Sequence, residues 1–229
     1  MALPDGRRLS LRVSEGIHPP DPYASAFAAC FRVRPGDRAW DLGCGAGGYG
    51  CAAAALGASR VLMSDLDPAA VECAVENAGL NGLEGVSGRA GSLFAPARGE
   101  RFDFIMTSVP QIPAPAPLNL IRYGGSDGLH FFRRIAAVAP AHLRPGGRLY
   151  ALVTDWPDAR RVAALLEAQR FRVRTIARVE RPFQPVEYDR MSPGLFDYLD
   201  ARARAGHGKY RRRGAWCYLG VSLLEATVR

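Results

Sequence analysis

A glycine-rich turn, Asp41-Leu42-Gly43-Cys44-Gly45-Ala46-Gly47, stands between an apolar run that begins at Arg38 and a helix-like stretch over 48–56. Glycine has no Cβ, so a turn with three glycines lets the backbone approach a ligand closely. A helix that begins there directs its free N–H groups toward the same place. The feature therefore predicts a strand, a tight turn and a helix, with a ligand at the turn.

Short apolar runs continue to alternate with helix-like stretches, which is typical of a parallel sheet flanked by helices. The final pair of strands lacks the long crossover that parallel neighbours need. We therefore expect an α/β fold, with a doubly wound, seven-stranded, mostly parallel sheet and helices on both faces. The predicted strands are 38–42, 60–64, 86–89, 102–106, 148–154, 171–179 and 216–226, and the predicted helices are 48–56, 68–78, 131–143, 158–169 and 195–205.

The size of the chain predicts one domain over residues 1–229, since 229 residues with 48% hydrophobic content can bury a full core. Three prolines exclude a helix over 16–22, and a helix could then run from Asp21 or Ser25 to Phe31. We expect residues 1–35 to be an N-terminal lid-like segment. Residues 181–214 are expected to be an inserted substrate-binding element above the carboxyl edge of the sheet. No apolar stretch approaches the roughly 20 residues that span a bilayer, so we expect a cytoplasmic protein without a membrane partner. The oligomeric state is open.

The net charge of +8 comes almost entirely from arginine, because Lys209 is the only lysine. Codon usage in a GC-rich genome produces that bias, so nucleic acid is the less favoured partner. Arg211-Arg212-Arg213 could neutralise phosphates, but we favour a solvated loop. The five cysteines show no paired spacing, which indicates neither a zinc site nor a disulfide framework, and no metal is expected.

Two acidic residues favour a cationic nucleoside over a dinucleotide. Asp41 would repel a phosphate but can pair with a cationic amino group. Asp65 closes the second predicted strand about 20 residues later, where a carboxylate can accept hydrogen bonds from both ribose hydroxyls. A sulfonium nucleoside suits both acids. The alternative is a doubly wound protein that binds a nicotinamide cofactor, or no cofactor.

With these features, the stretch from Arg38 to Trp156 resembles the class I methyltransferases that use S-adenosyl-L-methionine, a family with a Rossmann-like fold. The resemblance implies that Gly91-Ser92-Leu93-Phe94, where the family usually reads Gly-Asp-Leu-Phe, lies at the adenine amino group. It also implies that the glycine turn lies under the methionine part of the cofactor and that Asp65 binds its ribose. The cofactor-binding residues are then Asp41, Gly43, Cys44, Gly45, Gly47, Asp65, Leu66, Ser92, Leu93 and Ser108.

A second motif resembles the HemK-like branch of these enzymes, which has Asn-Pro-Pro-Tyr-Ile-Pro where this chain has Ser108-Val109-Pro110-Gln111-Ile112-Pro113. In that branch the asparagine and tyrosine position a planar nitrogen. Ser108 has a shorter reach and Gln111 has no aromatic face, so we expect a nonplanar or small acceptor. We predict catalytic roles for Ser108, Gln111 and Tyr188, and the further polar candidates are His18, Tyr23, Asp155 and Asp189.

We therefore expect a methyltransferase that acts on a small molecule, in natural-product or amino-acid metabolism, by in-line transfer to a positioned nucleophile. A hydroxyl or ammonium acceptor would need a base. The alternative is a protein-glutamine or RNA-base N-methyltransferase, which the HemK resemblance and the basic charge support. A third interpretation is a noncatalytic binder of the cofactor. The acceptor atom and the base are open.

Overall fold

Eight strands form one sheet in the computed structural model, which describes residues 1–118 and 122–228. The order in the sheet is β3-β2-β1-β4-β5-β8-β6, and β7 pairs with β8. This mixed, mostly parallel sheet with its helices confirms the predicted α/β fold. The strands are β1 Arg38–Leu42, β2 Arg60–Asp65, β3 Val86–Ala90, β4 Phe102–Thr107, β5 Leu143–Thr154, β6 Phe171–Phe183, β7 Arg211–Arg213 and β8 Trp216–Val228.

The helices begin and end where the sequence provides local signals. Asp67 caps α3, since its side chain accepts from the amide of Ala69, and Pro68 occupies the first turn. The predicted helix 131–143 is shorter in the structure, because Pro140 has no amide to continue it and a 3₁₀ turn follows. The helices are α1 Ala24–Ala28, α2 Gly48–Ala55, α3 Pro68–Leu80, α4 His130–Val138, α5 Ala159–Glu167, α6 Pro185–Asp189 and α7 Leu195–Arg204.

The expectation of a loop at Arg211-Arg212-Arg213 was wrong. These residues form β7, which pairs antiparallel with the start of β8. The run carries no alternation of polar and apolar residues, so sequence patterns did not predict a strand there. All three arginines are exposed, as expected of a solvated segment.

The chain divides into two compact units, of which the first contains residues 1–108, 138–151 and the last residues from Ala226. Its strands β1, β2, β3 and β4 are parallel, and Asp41 of β1 lies beside Met63 of β2 and Met106 of β4. Their carboxyl ends therefore meet at one edge. Trp40 and Phe104 are fully buried in the core below that edge.

The second unit contains residues 109–137 and 152–225. Its core is an apolar cluster, rich in aromatic side chains, made of Ala114, Trp156, Phe183, Tyr188, Leu195, Phe196, Leu199, Cys217 and Leu219. A search of the described residues finds no helix long and apolar enough to span a membrane. The organisation as one domain, with a lid-like segment at 1–35 and an inserted element at 181–214, stays a prediction.

Candidate functional site

The turn after β1 depends on three glycines. Gly43, Gly45 and Gly47 have φ angles of +79°, +50° and +79°, in the left-handed region that favours glycine. At Gly47 a Cβ would also lie 2.8 Å from the Cβ of Ala74, which is closer than carbon atoms pack. The conformation of the turn thus explains the glycine spacing seen in the sequence.

The turn is held against the end of β2 by backbone amides. Gly43 and Cys44 both donate to the carbonyl oxygen of Ser64, at 2.8 and 2.9 Å. The amide of Gly45 donates to Oδ2 of Asp65 at 3.0 Å. The glycine turn and Asp65 are therefore in direct contact. These are the two features that together predicted a nucleoside ligand.

Asp65 stands at the carboxyl edge with its side chain only half-buried. Its Oδ1 accepts from the amide of Asp67 at 3.1 Å, so one hydrogen bond on each oxygen orients the carboxylate. The neighbouring Leu66 is 58% exposed. A carboxylate beside an exposed apolar side chain can bind a sugar diol on one side and a flat apolar ring on the other.

Asp41 lies below the turn and is almost fully buried. Its Oδ2 accepts from the amide of Gly50 at 2.7 Å, in the first turn of α2. Burial raises the pKa of Asp41 to about 7, and the negative charge of Asp65 adds to the rise. A cation at the turn would lower this pKa again, so the site favours positive charge.

The loop after β3 reaches the same edge. The amide of Gly91 donates to the carbonyl oxygen of Asp65 at 2.8 Å, and Leu93 has a left-handed φ of +46°. Phe94 packs edge-on against Trp40, which anchors the loop. Ser92 is exposed on it. A strained non-glycine residue in such a loop is typical of a functional site.

The N-terminal segment lies over the glycine turn. The carbonyl oxygen of His18 accepts from the amide of Ala46 at 3.3 Å, and a Cβ on Gly45 would lie 3.0 Å from that same oxygen. The segment is therefore part of the site, and its movement as a lid stays a prediction.

A partly buried polar cluster connects this segment to the end of β4. Ser108 Oγ donates to Oδ2 of Asp21 at 3.4 Å, and the Tyr49 hydroxyl lies 3.5 Å from the same oxygen. Burial raises the pKa of Asp21, and His18, Tyr23, Ser108 and Tyr49 offset part of the rise. A carboxylate with a raised pKa is a stronger base than an ordinary aspartate, so Asp21 can serve as a proton acceptor.

Asp21 was not predicted from the sequence as a site residue, although His18, Tyr23 and Ser108 around it were. Asp21 stands between two prolines, where an acid is common in turns and carries no signal of its own. Its contacts to Tyr49 and Ser108 cross 28 and 87 residues of sequence. Only the fold brings these groups together.

In the second unit, Gln111 uses both ends of its side-chain amide internally. Its Oε1 accepts from the amide and hydroxyl of Thr154, at 2.7 and 3.1 Å. Its Nε2 donates to the carbonyl oxygens of Leu152 and Val109, at 3.2 and 3.4 Å. These bonds fix the segment after β4 to the end of β5, and a catalytic role for Gln111 stays a prediction.

Tyr188 lies in the aromatic core of the second unit. Trp156 Nε1 and Arg181 donate to its hydroxyl oxygen at 3.1 and 3.3 Å, and its ring packs on Phe183 with 4.9 Å between centroids. Burial raises the pKa of Tyr188. Its surroundings give it a packing role, and the predicted catalytic role stays a prediction.

The other polar candidates of this unit make structural contacts. Asp155 forms an ion pair with Arg178 at 2.6 Å and is almost fully buried. Asp189 accepts from the amide of Phe196 at 3.0 Å, at the start of α7. Within the described residues no three His, Cys, Asp or Glu side chains are grouped as metal ligands.

A family model described as the methyltransferase small domain matches residues 18–181. The release factor glutamine methyltransferase of Xylella fastidiosa strain Temecula1 is 38% identical over 140 residues, which cover 56% of this chain and 50% of that protein. The release factor glutamine methyltransferase of Cereibacter sphaeroides is 37% identical over 179 residues, which cover 71% of this chain and 62% of that protein. The chain thus spans about half to three fifths of these relatives.

The structure is also similar to that of ribosomal protein L11 methylase from Lactobacillus delbrueckii subsp. bulgaricus. The TM-score is 0.53 at 20% identity, over 87% of this chain and 76% of that one. At this level of identity the similarity shows a shared fold.

Proposed function

The chain belongs to the methyltransferase small-domain family, and from this premise we propose that it transfers a methyl group from S-adenosylmethionine to the side-chain amide of a glutamine in a protein. The two relatives, which are named as glutamine methyltransferases of release factors, support this acceptor. They favour the protein-glutamine alternative over the small-molecule substrate that we expected from the sequence.

The observation that carries the proposal is the hydrogen bond between the Gly45 amide and the Asp65 carboxylate at 3.0 Å. It joins a turn that a ligand can approach closely to an oriented carboxylate, which supports a role for Asp65 in binding a ribose diol. The exposed Leu66 offers an apolar surface for a base. Two acids at the turn disfavour a pyrophosphate and favour a sulfonium and an ammonium group, so these residues fit S-adenosylmethionine.

When bound, S-adenosylmethionine supplies an electrophilic methyl group on a positively charged sulfur. The contribution of this chain is orientation, since an in-line displacement is accelerated chiefly by holding the reacting atoms at about 3 to 3.5 Å. Asp65 and the turn residues would fix the donor. Ser108, at the end of β4, would help to orient the acceptor through its hydroxyl group.

A second acceptor class, a small molecule with a hydroxyl or amine nucleophile, is favoured by the contact between Ser108 and Asp21. Such a nucleophile loses its proton while its bond to the methyl carbon forms and the bond from that carbon to sulfur breaks. Deprotonated Asp21, at the carboxyl edge and beside Ser108, would receive that proton. A glutamine amide nitrogen is a weaker nucleophile, because its lone pair is delocalised into the carbonyl group, and it also loses a proton as its bond to the methyl carbon forms.

The test uses the full chain, S-adenosylmethionine and a purified bacterial release factor. Peptide mass spectrometry is expected to find one added methyl group on a glutamine side chain, and none when that glutamine is replaced by asparagine. Methylation elsewhere, or none, would exclude the glutamine acceptor. In a parallel assay on small amines and alcohols, turnover that Asp21→Asn lowers by about 10²–10⁴-fold would establish the second class.

A further inference from the structure

The two strands β7 and β8 form an exposed hairpin, which we call the arginine hairpin (residues 211–218). Arg211, Arg212 and Arg213 pair in register with Tyr218, Cys217 and Trp216. All three arginines are exposed. Because side chains alternate along a strand, Arg211 and Arg213 share one face of the hairpin with Tyr218 and Trp216. Arg212 lies on the other face with the buried Cys217.

An exposed tryptophan stands in the same hairpin. Trp216, directly across from Arg213, is 45% exposed, whereas Trp40 and Trp156 are 0% and 1% exposed. Exposing an indole ring costs hydrophobic free energy, so a large aromatic surface beside cationic side chains indicates a binding surface. Aromatic faces that alternate with arginines are the pattern that stacks bases and neutralises phosphates in single strands.

The neighbouring side chains hold the guanidinium groups in place. Arg211 lies 5.0 Å from the ring centroid of Tyr218 and pairs with Glu180 at 2.6 Å. Arg212 lies 5.7 Å from the ring centroid of Phe196. Contact with a ring and a carboxylate reduces the rotamer freedom of an arginine, so less entropy is lost when it meets a phosphate.

Charge is concentrated in the unit that carries the hairpin. The second unit has 17 of the 30 Arg and Lys residues and 10 of the 22 Asp and Glu residues. The first unit therefore has 13 basic and 12 acidic residues. Nearly all of the net positive charge therefore belongs to the second unit. A genome-wide preference for arginine would raise the arginine content of both units alike. Codon usage alone therefore does not explain this distribution of charge.

We propose that the arginine hairpin binds single-stranded nucleic acid, with a base stacked on Trp216 and phosphates contacted by Arg211 and Arg213, which share its face. This surface is additional to the methyl-transfer site and does not depend on which acceptor that site takes. Trp216 favours nucleic acid over an acidic polypeptide as the partner, because a base can stack on its indole ring and a carboxylate side chain cannot.

Because Trp216 is exposed, its fluorescence can report the binding of an oligonucleotide. The full chain is titrated with oligouridylate at low salt while tryptophan fluorescence is recorded, and stacking on Trp216 is expected to quench the emission. With two phosphate contacts the affinity is expected to fall roughly 7-fold between 50 and 200 mM salt. An absence of quenching at low salt overturns the proposal.

Variants are compared by the anisotropy of a labelled oligonucleotide. We expect Trp216→Ala to weaken binding about 5- to 100-fold and Trp216→Phe to weaken it less, because a phenyl ring still stacks. Arg213→Ala is expected to reduce the salt slope by about 0.7. Arg160, which is 83% exposed in the same unit, provides the matched control, and Arg160→Ala is expected to bind like the parent.

Two further results would count against the hairpin. If poly-glutamate quenches the emission as strongly as oligouridylate, the partner is an acidic polypeptide. If Arg160→Ala weakens binding as much as Arg213→Ala, the binding is diffuse attraction to a basic unit. Each variant is first checked for an unchanged circular dichroism spectrum, so that loss of binding is not loss of folding.

Discussion

The amide of Gly45 donates a hydrogen bond to the carboxylate of Asp65 at 3.0 Å. The bond joins the end of β1 to the end of β2 and fixes the spacing between the glycine turn and the second acid. Because the ends of these parallel strands meet at one edge, a ligand on the turn also meets the carboxylate.

The turn is expected to tolerate no side chain at Gly47. Gly47→Ala should lower the free energy of unfolding by about 2–4 kcal/mol, because it adds a left-handed residue and a methyl group 2.8 Å from Ala74. Gly99 has the same φ of +79° but has open space around it, so Gly99→Ala should cost only about 1–2 kcal/mol. Urea denaturation measures the free energy of unfolding of both variants. If the two substitutions cost the same, the close contact with Ala74 does not contribute to the cost at Gly47.

Stability should depend on pH through Asp41. Its pKa in the folded chain, about 7, lies above its ordinary value of 3.8, so the folded state binds the proton more tightly than the unfolded state. Protonation of Asp41 stabilises the folded state by up to about 4 kcal/mol below about pH 4. This stabilisation is lost as the pH rises through 7. Asp41→Asn should flatten this part of the curve. If Asp41→Asn keeps the parent's dependence of stability on pH, Asp41 is not the group responsible for it.

The sequence predicted the parts of the site that are local. The glycine turn and Asp65 each lie in one short segment, and each was recognised from residue type and spacing. Asp21 was missed because its partners Tyr49 and Ser108 are remote in sequence. Gln111 was predicted to be catalytic without its bonds to Thr154, which lies 43 residues away. Strand β7 was missed because three charged residues carry no periodicity.

Ser108 is expected to orient the acceptor. Ser108→Ala should lower kcat about 5- to 10-fold, the effect of one lost hydrogen bond, and leave the affinity for S-adenosylhomocysteine nearly unchanged. Ser87→Ala, at an exposed position on β3, is the control. If Ser108→Ala keeps the parent's kcat on the identified acceptor, the hydroxyl has no part in the reaction.

Tyr188 should contribute to the stability of the second unit. Tyr188→Phe removes the hydroxyl that accepts from Trp156 and Arg181, and should lower the free energy of unfolding by about 1–2 kcal/mol. Thermal and urea denaturation measure this cost. A further loss of kcat, at a temperature where parent and variant are both folded, would assign the catalytic role predicted from the sequence.

The central claim is that the turn and Asp65 bind the nucleoside of S-adenosylmethionine. Calorimetry with S-adenosylhomocysteine tests it on Asp65→Ala and on Asp67→Ala, a neighbouring variant that loses only the cap of α3. We expect Asp65→Ala to weaken binding about 10- to 100-fold, since a charged hydrogen-bond partner of the ribose is lost, and Asp67→Ala to bind within about threefold of the parent. Equal affinity of Asp65→Ala and the parent would contradict the claim.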